Sequence, residues 1–294
     1  MKTYILVFLV LFMAIVGCGD KEQKIEPSLP TRGELVIGVD ESLRPFADAE
    51  IAMFTFYYPE SRITPLYLPE KQVVEKLLTN EIQTGILCRD FHKEERDFLK
   101  SNYGHSATTF KLADDEIVAV VNNANPVNTI SYDDIKAILS GTITEWGQLD
   151  RSFNNKSPII VIITGSSSID RYFSSSVQLS PVSTYALDTT TEVIDYVKNN
   201  VFAVGIVGGS WFYQKGSKYS DVKPLVFSEG RPKTENQWGK LRREVYAVTH
   251  EPFTGLGNGF ISFMASQKGQ LIISKAGMTP YKPIEREIKI KNSF

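Results

Sequence analysis

Three short stretches hold residue types that bind small anions. The first is Gly165-Ser166-Ser167-Ser168, which follows an apolar run and precedes apolar residues at helical spacing. A strand that turns through such a loop into a helix aims backbone N–H groups and a partial positive charge at one point, and serine hydroxyls add further donors. One serine of the three could equally be an ordinary helix cap. The second stretch is Asp40-Glu41-Ser42-Leu43-Arg44-Pro45, after the first apolar strand. The third is Arg89-Asp90, after another. An arginine there can grip an oxyanion with two parallel N–H bonds; each loop could also be a solvated turn. Arg171, one turn into the helix after the serines, is a further candidate cation.

The residues of common enzyme motifs are not arranged for chemistry. Three histidines, His92, His105 and His250, show no metal-ligand spacing. Gly165 to Ile169 lacks the glycine that ends a nucleophile elbow. Gly255-Leu256-Gly257-Asn258-Gly259 is not a dinucleotide fingerprint, and no P-loop occurs. No catalytic residue, cofactor or metal is expected.

The loops are positioned by alternating elements. Strands are expected over 34–39, 62–68, 84–88, 115–121, 158–164, 202–207 and 244–249. Several are apolar at nearly every position, as in sheets covered on both faces. Helices are expected over 46–58, over 70–79 with Val73, Val74, Leu77 and Leu78 on one stripe, after the cap Ser131 with Asp134, after Ser168, and over 259–276. Strands separated by helices imply crossovers and mainly parallel sheets. The three loops then share the C-terminal edges of strands, where open α/β sheets place ligands.

The chain has 294 residues, of which 42% are hydrophobic and 22% charged, ordinary for a globular protein with a sizeable core. The formal net charge of −2 gives no reason to expect nucleic-acid binding. Two cysteines exclude a disulfide framework. Lys2 followed by the apolar run 5–16 reads as a signal peptide rather than a membrane span. The run ends at Ile15-Val16-Gly17-Cys18, which resembles the bacterial lipobox and implies lipidation at Cys18. Residues 1–17 are then a lipoprotein signal and 18–32, charged and proline-containing, a flexible tether. Cys88, in an apolar run, is expected to be a buried, inert thiol.

From about Gly33 to Lys282 the chain resembles the phosphate-type solute-binding proteins of bacterial ABC importers, a branch of the type II periplasmic-binding fold. The clearest stretch is 113–146, which opens Ala113-Asp114-Asp115-Glu116, turns at Asn125-Pro126 and ends Ser140-Gly141-Thr142-Ile143-Thr144-Glu145-Trp146. Ile37-Gly38, Arg89, Gly165 to Ser168, Ala203 to Val207 and Gly277-Met278-Thr279-Pro280 match further family positions. The resemblance implies two α/β lobes joined by two hinge strands: lobe one from 33–112 plus 214–294, lobe two from 113–213. It implies an anion held between them by Ser42, Arg89, Asp90, Ser166, Ser167, Ser168 and Arg171. A carboxylate among Asp90, Asp40 and Glu41 would accept the proton of hydrogen phosphate and repel bare sulfate.

The function expected is a lipid-anchored receptor on the periplasmic side of the bacterial envelope. As a monomer it would deliver phosphate or a related oxyanion to an ABC permease. Two alternatives remain: a sensor or binding module of the same fold for an organic ligand, and a serine hydrolase using Ser166–Ser168, for which no histidine can be placed near that loop.

Overall fold

The computed structural model describes residues 29–149, 157–175, 178–180, 184–213, 219–227, 241–251 and 254–283. Cys18, the signal segment and most of the expected tether lie outside the described residues. No helix among the described residues is long and apolar enough to cross a membrane.

The first half opens with β1 (Gly33–Asp40), a short 3-10 turn (Glu41–Leu43) and α1 (Arg44–Tyr57). It continues through β2 (Ser61–Leu68), α2 (Glu70–Leu78), β3 (Thr84–Leu87) and α3 (Lys93–Tyr103). β1 pairs in parallel with β2 on one side and β3 on the other. Two buried clusters cover the faces of this sheet: Phe46, Phe54, Phe260 and Met264 on one, Val73, Leu77, Leu87 and Leu99 on the other. Fully burying such a side chain contributes about 1.5–3 kcal/mol, which is why the strands tolerate few polar positions.

β4 (Thr108–Asn122) then runs through both halves. Its first part pairs antiparallel with β11 (Arg242–Thr249), and β11 pairs antiparallel with β3. Its second part pairs antiparallel with β8 (Ala203–Gly208). The second half repeats the plan of the first: β6 (Ile160–Thr164) lies in parallel between β8 and β7 (Thr184–Leu187). α4 (Tyr132–Leu139) and α5 (Ser168–Ser174) pack on one face, around Ile135, Trp146 and Phe173. α6 (Thr190–Asn199) and the short α7 (Ser210–Tyr213) contribute to the cluster on the other, around Val193, Val197 and Trp211. A two-stranded parallel sheet, β5 (Thr129–Ile130) with β10 (Val226–Phe227), lies apart from the main one.

The expected fold class, a two-lobed α/β fold with sheet flanked by helices and strands crossing between the lobes, is the one observed. The expectation of mainly parallel sheets is corrected: the strands form one continuous mixed sheet, in which β3, β11, β4 and β8 pair antiparallel and join the two parallel parts. Details differ for physical reasons. The strand expected over 115–121 starts earlier, at Thr108, because the acids along it are paired: Asp114 with Arg242 and Asp115 with Arg243 of β11. The final helix is two, α8 (Leu256–Met264) and α9 (Gln267–Lys275), because Ser266 caps the second. Beyond Tyr213 the chain does not return at once to the first half. β9 (Val222–Pro224) pairs with the second part of β4, and Leu225 and Leu241 pack in the second half's core. The return comes at β11. β12 (Thr279–Pro280) closes the chain's course against Asp114 and Ala113 of β4.

Candidate functional site

The C-terminal ends of the parallel strands in the two halves face each other, and polar side chains from both converge between them. At their centre is Arg243, at the start of β11 and only 3% exposed. It lies directly across from Asp115 in the β4–β11 ladder. Its Nε and Nη2 donate to Asp115 Oδ2 at 3.1 and 2.7 Å. Its Nη1 donates to Ser42 Oγ at 2.7 Å in the first half and to Ser168 Oγ at 2.6 Å in the second. Burial works against the guanidinium's charge, but the surrounding carboxylates of Asp115 and Asp40 outweigh it and hold Arg243 firmly protonated. Gly208, the last residue of β8, makes room for it: a Cβ there would press on Arg243 Nη2 and lie 2.8 Å from Asp115 Oδ2.

Asp40 ends β1 and caps the 3-10 turn, its Oδ1 accepting from Ser42 N at 3.0 Å and Ser42 Oγ at 2.7 Å. Its other oxygen, Oδ2, is buried and accepts no hydrogen bond. A buried carboxylate oxygen without a donor is costly, so this atom is suited to receive one from a ligand. Glu41 turns elsewhere. It reaches the start of α6 across the cleft and accepts from Thr190 N at 2.9 Å and Thr190 Oγ1 at 2.7 Å. Burial raises its carboxyl above the ordinary value, and the two Thr190 donors pull the other way. Of the acidic first loop, one carboxylate is thus used as a cross-cleft tie to a helix N-terminus. Trp211 adds another tie, its indole N–H donating to the Ser42 carbonyl at 2.8 Å.

The three serines have three different roles. Ser167 is the cap of α5: its hydroxyl donates to the Thr164 carbonyl at 2.6 Å and accepts from Asp170 N at 3.2 Å. Ser166 is exposed and holds a left-handed backbone, φ 54°. Ser168 alone reaches Arg243, and lies 3.4 Å from Ser42 Oγ. Asp170 also accepts from Ser166 N at 3.2 Å, so the helix start already faces a carboxylate of its own chain.

Ser42 and Ser168 are therefore brought together. Arg89 and Asp90 lie further out. Arg89 makes a two-pronged pair with Glu95, at 2.8 and 2.6 Å, that ties the end of β3 to α3. Asp90 pairs with Arg96 at 2.5 Å and accepts from Phe91 N. Arg171 bonds Glu70 at the start of α2. Asp40, Glu70 and Cys88 bring one ligand atom each within 4.8 Å of the others. Arg171 already neutralises Glu70, and burial pushes the Cys88 thiol well above its usual range, Arg243 pulling the other way, so the trio makes no metal argument.

Arg243, Asp115, Glu70 and Trp211 are absent from the residues the sequence reading singles out. A signal for Arg243 exists: Arg243, Val245 and Ala247 alternate on one buried face, while residues 242, 244 and 246 are more exposed. Starting that strand at residue 244 conceals it.

Two pseudo-symmetric α/β halves around a buried polar cleft define a two-lobed binding fold of the periplasmic-binding-protein type. A family model for the PBP superfamily domain matches residues 25–268, and the chain belongs to that superfamily. Among solved structures it is similar to one with bound phosphate from Clostridium perfringens, assigned as a phosphate ABC transporter substrate-binding protein. The identity is 24%, coverage 85% of this chain and 100% of that one, and the TM-score 0.72. It is also similar to an ABC-type phosphate transport receptor from Vibrio cholerae, at 21% identity, 84% and 100% coverage and a TM-score of 0.60. The reduced OxyR regulatory domain from Pseudomonas aeruginosa matches at 13% identity, 79% and 99% coverage and a TM-score of 0.51. No curated protein matches the chain.

Proposed function

We propose that the chain is an extracytoplasmic solute-binding protein, not an enzyme, that captures hydrogen phosphate or a related protonated oxyanion between its lobes for an ABC permease. On this reading Cys18 carries the lipid that anchors it to the envelope, and the protein works as a monomer. The observation that carries the proposal is the meeting of Ser42 and Ser168, one from each half, on the buried Arg243 guanidinium. A charged donor with two hydroxyls in a water-poor cleft suits an oxyanion. Asp40 Oδ2, unpartnered and buried, supplies the acceptor that a protonated anion satisfies and sulfate does not. The solved phosphate receptors support the same reading. Arg89, Asp90, Ser166, Ser167 and Arg171 then frame the cleft.

Calorimetric titration of the purified chain, stripped of anions by unfolding and refolding, tests this. Phosphate should bind one-to-one, sulfate should not, and Ser168→Ala and Asp40→Asn should each weaken phosphate. No heat with phosphate, or equal heat with sulfate, sinks the reading.

A second reading has one observation in its favour. Four buried carboxylates, Asp40, Glu41, Glu70 and Asp115, surround the centre against the guanidiniums of Arg243 and Arg171. An organic ligand rich in hydrogen-bond donors would meet that surplus of acceptors better than a bare anion, and the protein would then be a sensor or binding module of the same fold. Heat with such ligands and none with phosphate would select it.

A further inference from the structure

Arg171 reaches out of the second half and meets partners in the first. Its Nε donates to Glu70 Oε2 at 2.5 Å, and its Nη2 to Glu70 Oε1 at 3.3 Å and to the Cys88 carbonyl at 3.1 Å. Glu70 is fixed from behind, since Oε1 also accepts from Cys88 N at 2.9 Å. The pair is unevenly wetted: the Glu70 side chain is 4% exposed and that of Arg171 44%. Both residues line a cleft of about 440 Å³ between the halves, bordered by Lys71 and Arg89 on one side and Ser166 and Asp170 on the other.

This geometry differs from a surface ion pair, which contributes little. Glu70 is buried, and nearby Arg89 is engaged with Glu95. Parting the halves would strip Glu70 of its guanidinium, and a buried carboxylate without its cation is strongly disfavoured. Closure is thus favoured by the chain's own charges, with nothing required in the cleft.

We infer that Glu70 and Arg171 form a latch that holds the lobes together over the centre formed by Asp40, Ser42, Ser168 and Arg243, and sets how long a captured ligand stays without touching it. This rests on the two-lobed capture reading above. It makes Glu70 and Arg171 positioning residues, whereas a direct ligand contact by Arg171 would require Glu70 to release it.

The test measures the distance between spin labels on Asn102→Cys in α3 and Asn199→Cys in α6, both exposed, in the full chain carrying Cys18→Ser. Without ligand the parent protein should give one narrow distribution. Glu70→Gln, which keeps an acceptor for Cys88 N, and Arg171→Ala should each broaden and lengthen it. The double variant should go no further than the larger single effect, because both remove the same interaction. With inorganic phosphate as probe, each single variant should release it about tenfold faster or more, with association changed less than threefold. Distributions unchanged in both variants, or effects that add in the double variant, overturn the latch. If the parent fails to bind phosphate, the phosphate reading falls while the distance measurement still decides the latch.

Discussion

Replacing Arg243 by methionine tests the centre most directly. The substitution keeps a similar apolar stem and removes a guanidinium that makes four hydrogen bonds, two to Asp115 Oδ2 and one each to Ser42 and Ser168. The losses are unequal. Ser42 Oγ keeps its bond to Asp40. Asp115, with no exposed surface, keeps only the Ser210 N–H on its other oxygen, at 3.2 Å. The dominant cost is therefore a buried carboxylate without its cation, about 3–5 kcal/mol. A chain of this size loses roughly 2–4 °C per kcal/mol, so its melting temperature should fall by about 6–20 °C. Arg243→Met combined with Asp115→Asn should recover much of that loss, because the uncompensated charge is gone and the amide oxygen that replaces the carboxylate can still accept from Ser210 N–H. Thermal and urea unfolding of the three proteins read the effect, and phosphate titration should show binding lost in both variants. If Arg243→Met melts like the parent, or if the double variant is less stable than the single one, the buried-pair account is wrong.

Other perturbations follow from the same contacts. Glu50, on α1, is fully buried with neither carboxylate oxygen bonded, and burial pushes its pKa from 4.5 to about 9. Its folded form therefore holds a proton that the unfolded chain releases, so stability is fully present below 4.5 and is lost as pH rises toward 9. The slope is about 1.4 kcal/mol per pH unit, and Glu50→Gln should flatten it in urea midpoints taken at pH 5 and 8. Gly208→Ala should displace Arg243, cost about 1–3 kcal/mol and weaken phosphate more than it lowers the melting temperature. Ser166→Gly should raise stability by up to about 1 kcal/mol, since φ 54° strains a residue with a Cβ; unchanged or lower stability would mean the serine compensates.

The sequence makes the scaffold more legible than the site, and particular residues show why. Apolar runs such as 34–39 and 158–164 are buried strands because nothing else can hide so many branched side chains, and β1 and β6 appear where those runs lie. The capping box at Ser131 and Asp134 is local chemistry and appears as read. Site chemistry is non-local. Ser42 and Ser168 stand 126 residues apart in the chain, and what joins them is an arginine 75 residues further on. Taken alone, the Ser166–Ser168 loop offers three equivalent hydroxyls; the fold gives one to the cap, one to solvent and one to the cleft. The strand expected from Asp115 runs back to Thr108 for the same non-local reason, since β11 supplies an arginine for each of two adjacent acids, Arg242 for Asp114 and Arg243 for Asp115. Asp40 and Glu41 look alike in sequence and diverge in space, because Glu41 finds the start of α6 while Asp40 Oδ2 is left facing the centre. A charged residue in a buried strand can be understood only with its partner, and here that partner comes from a strand 128 residues away. The useful rule for such sequences is to treat every charged residue on the apolar face of a strand as half of a pair, and to search the other hinge strand for the other half.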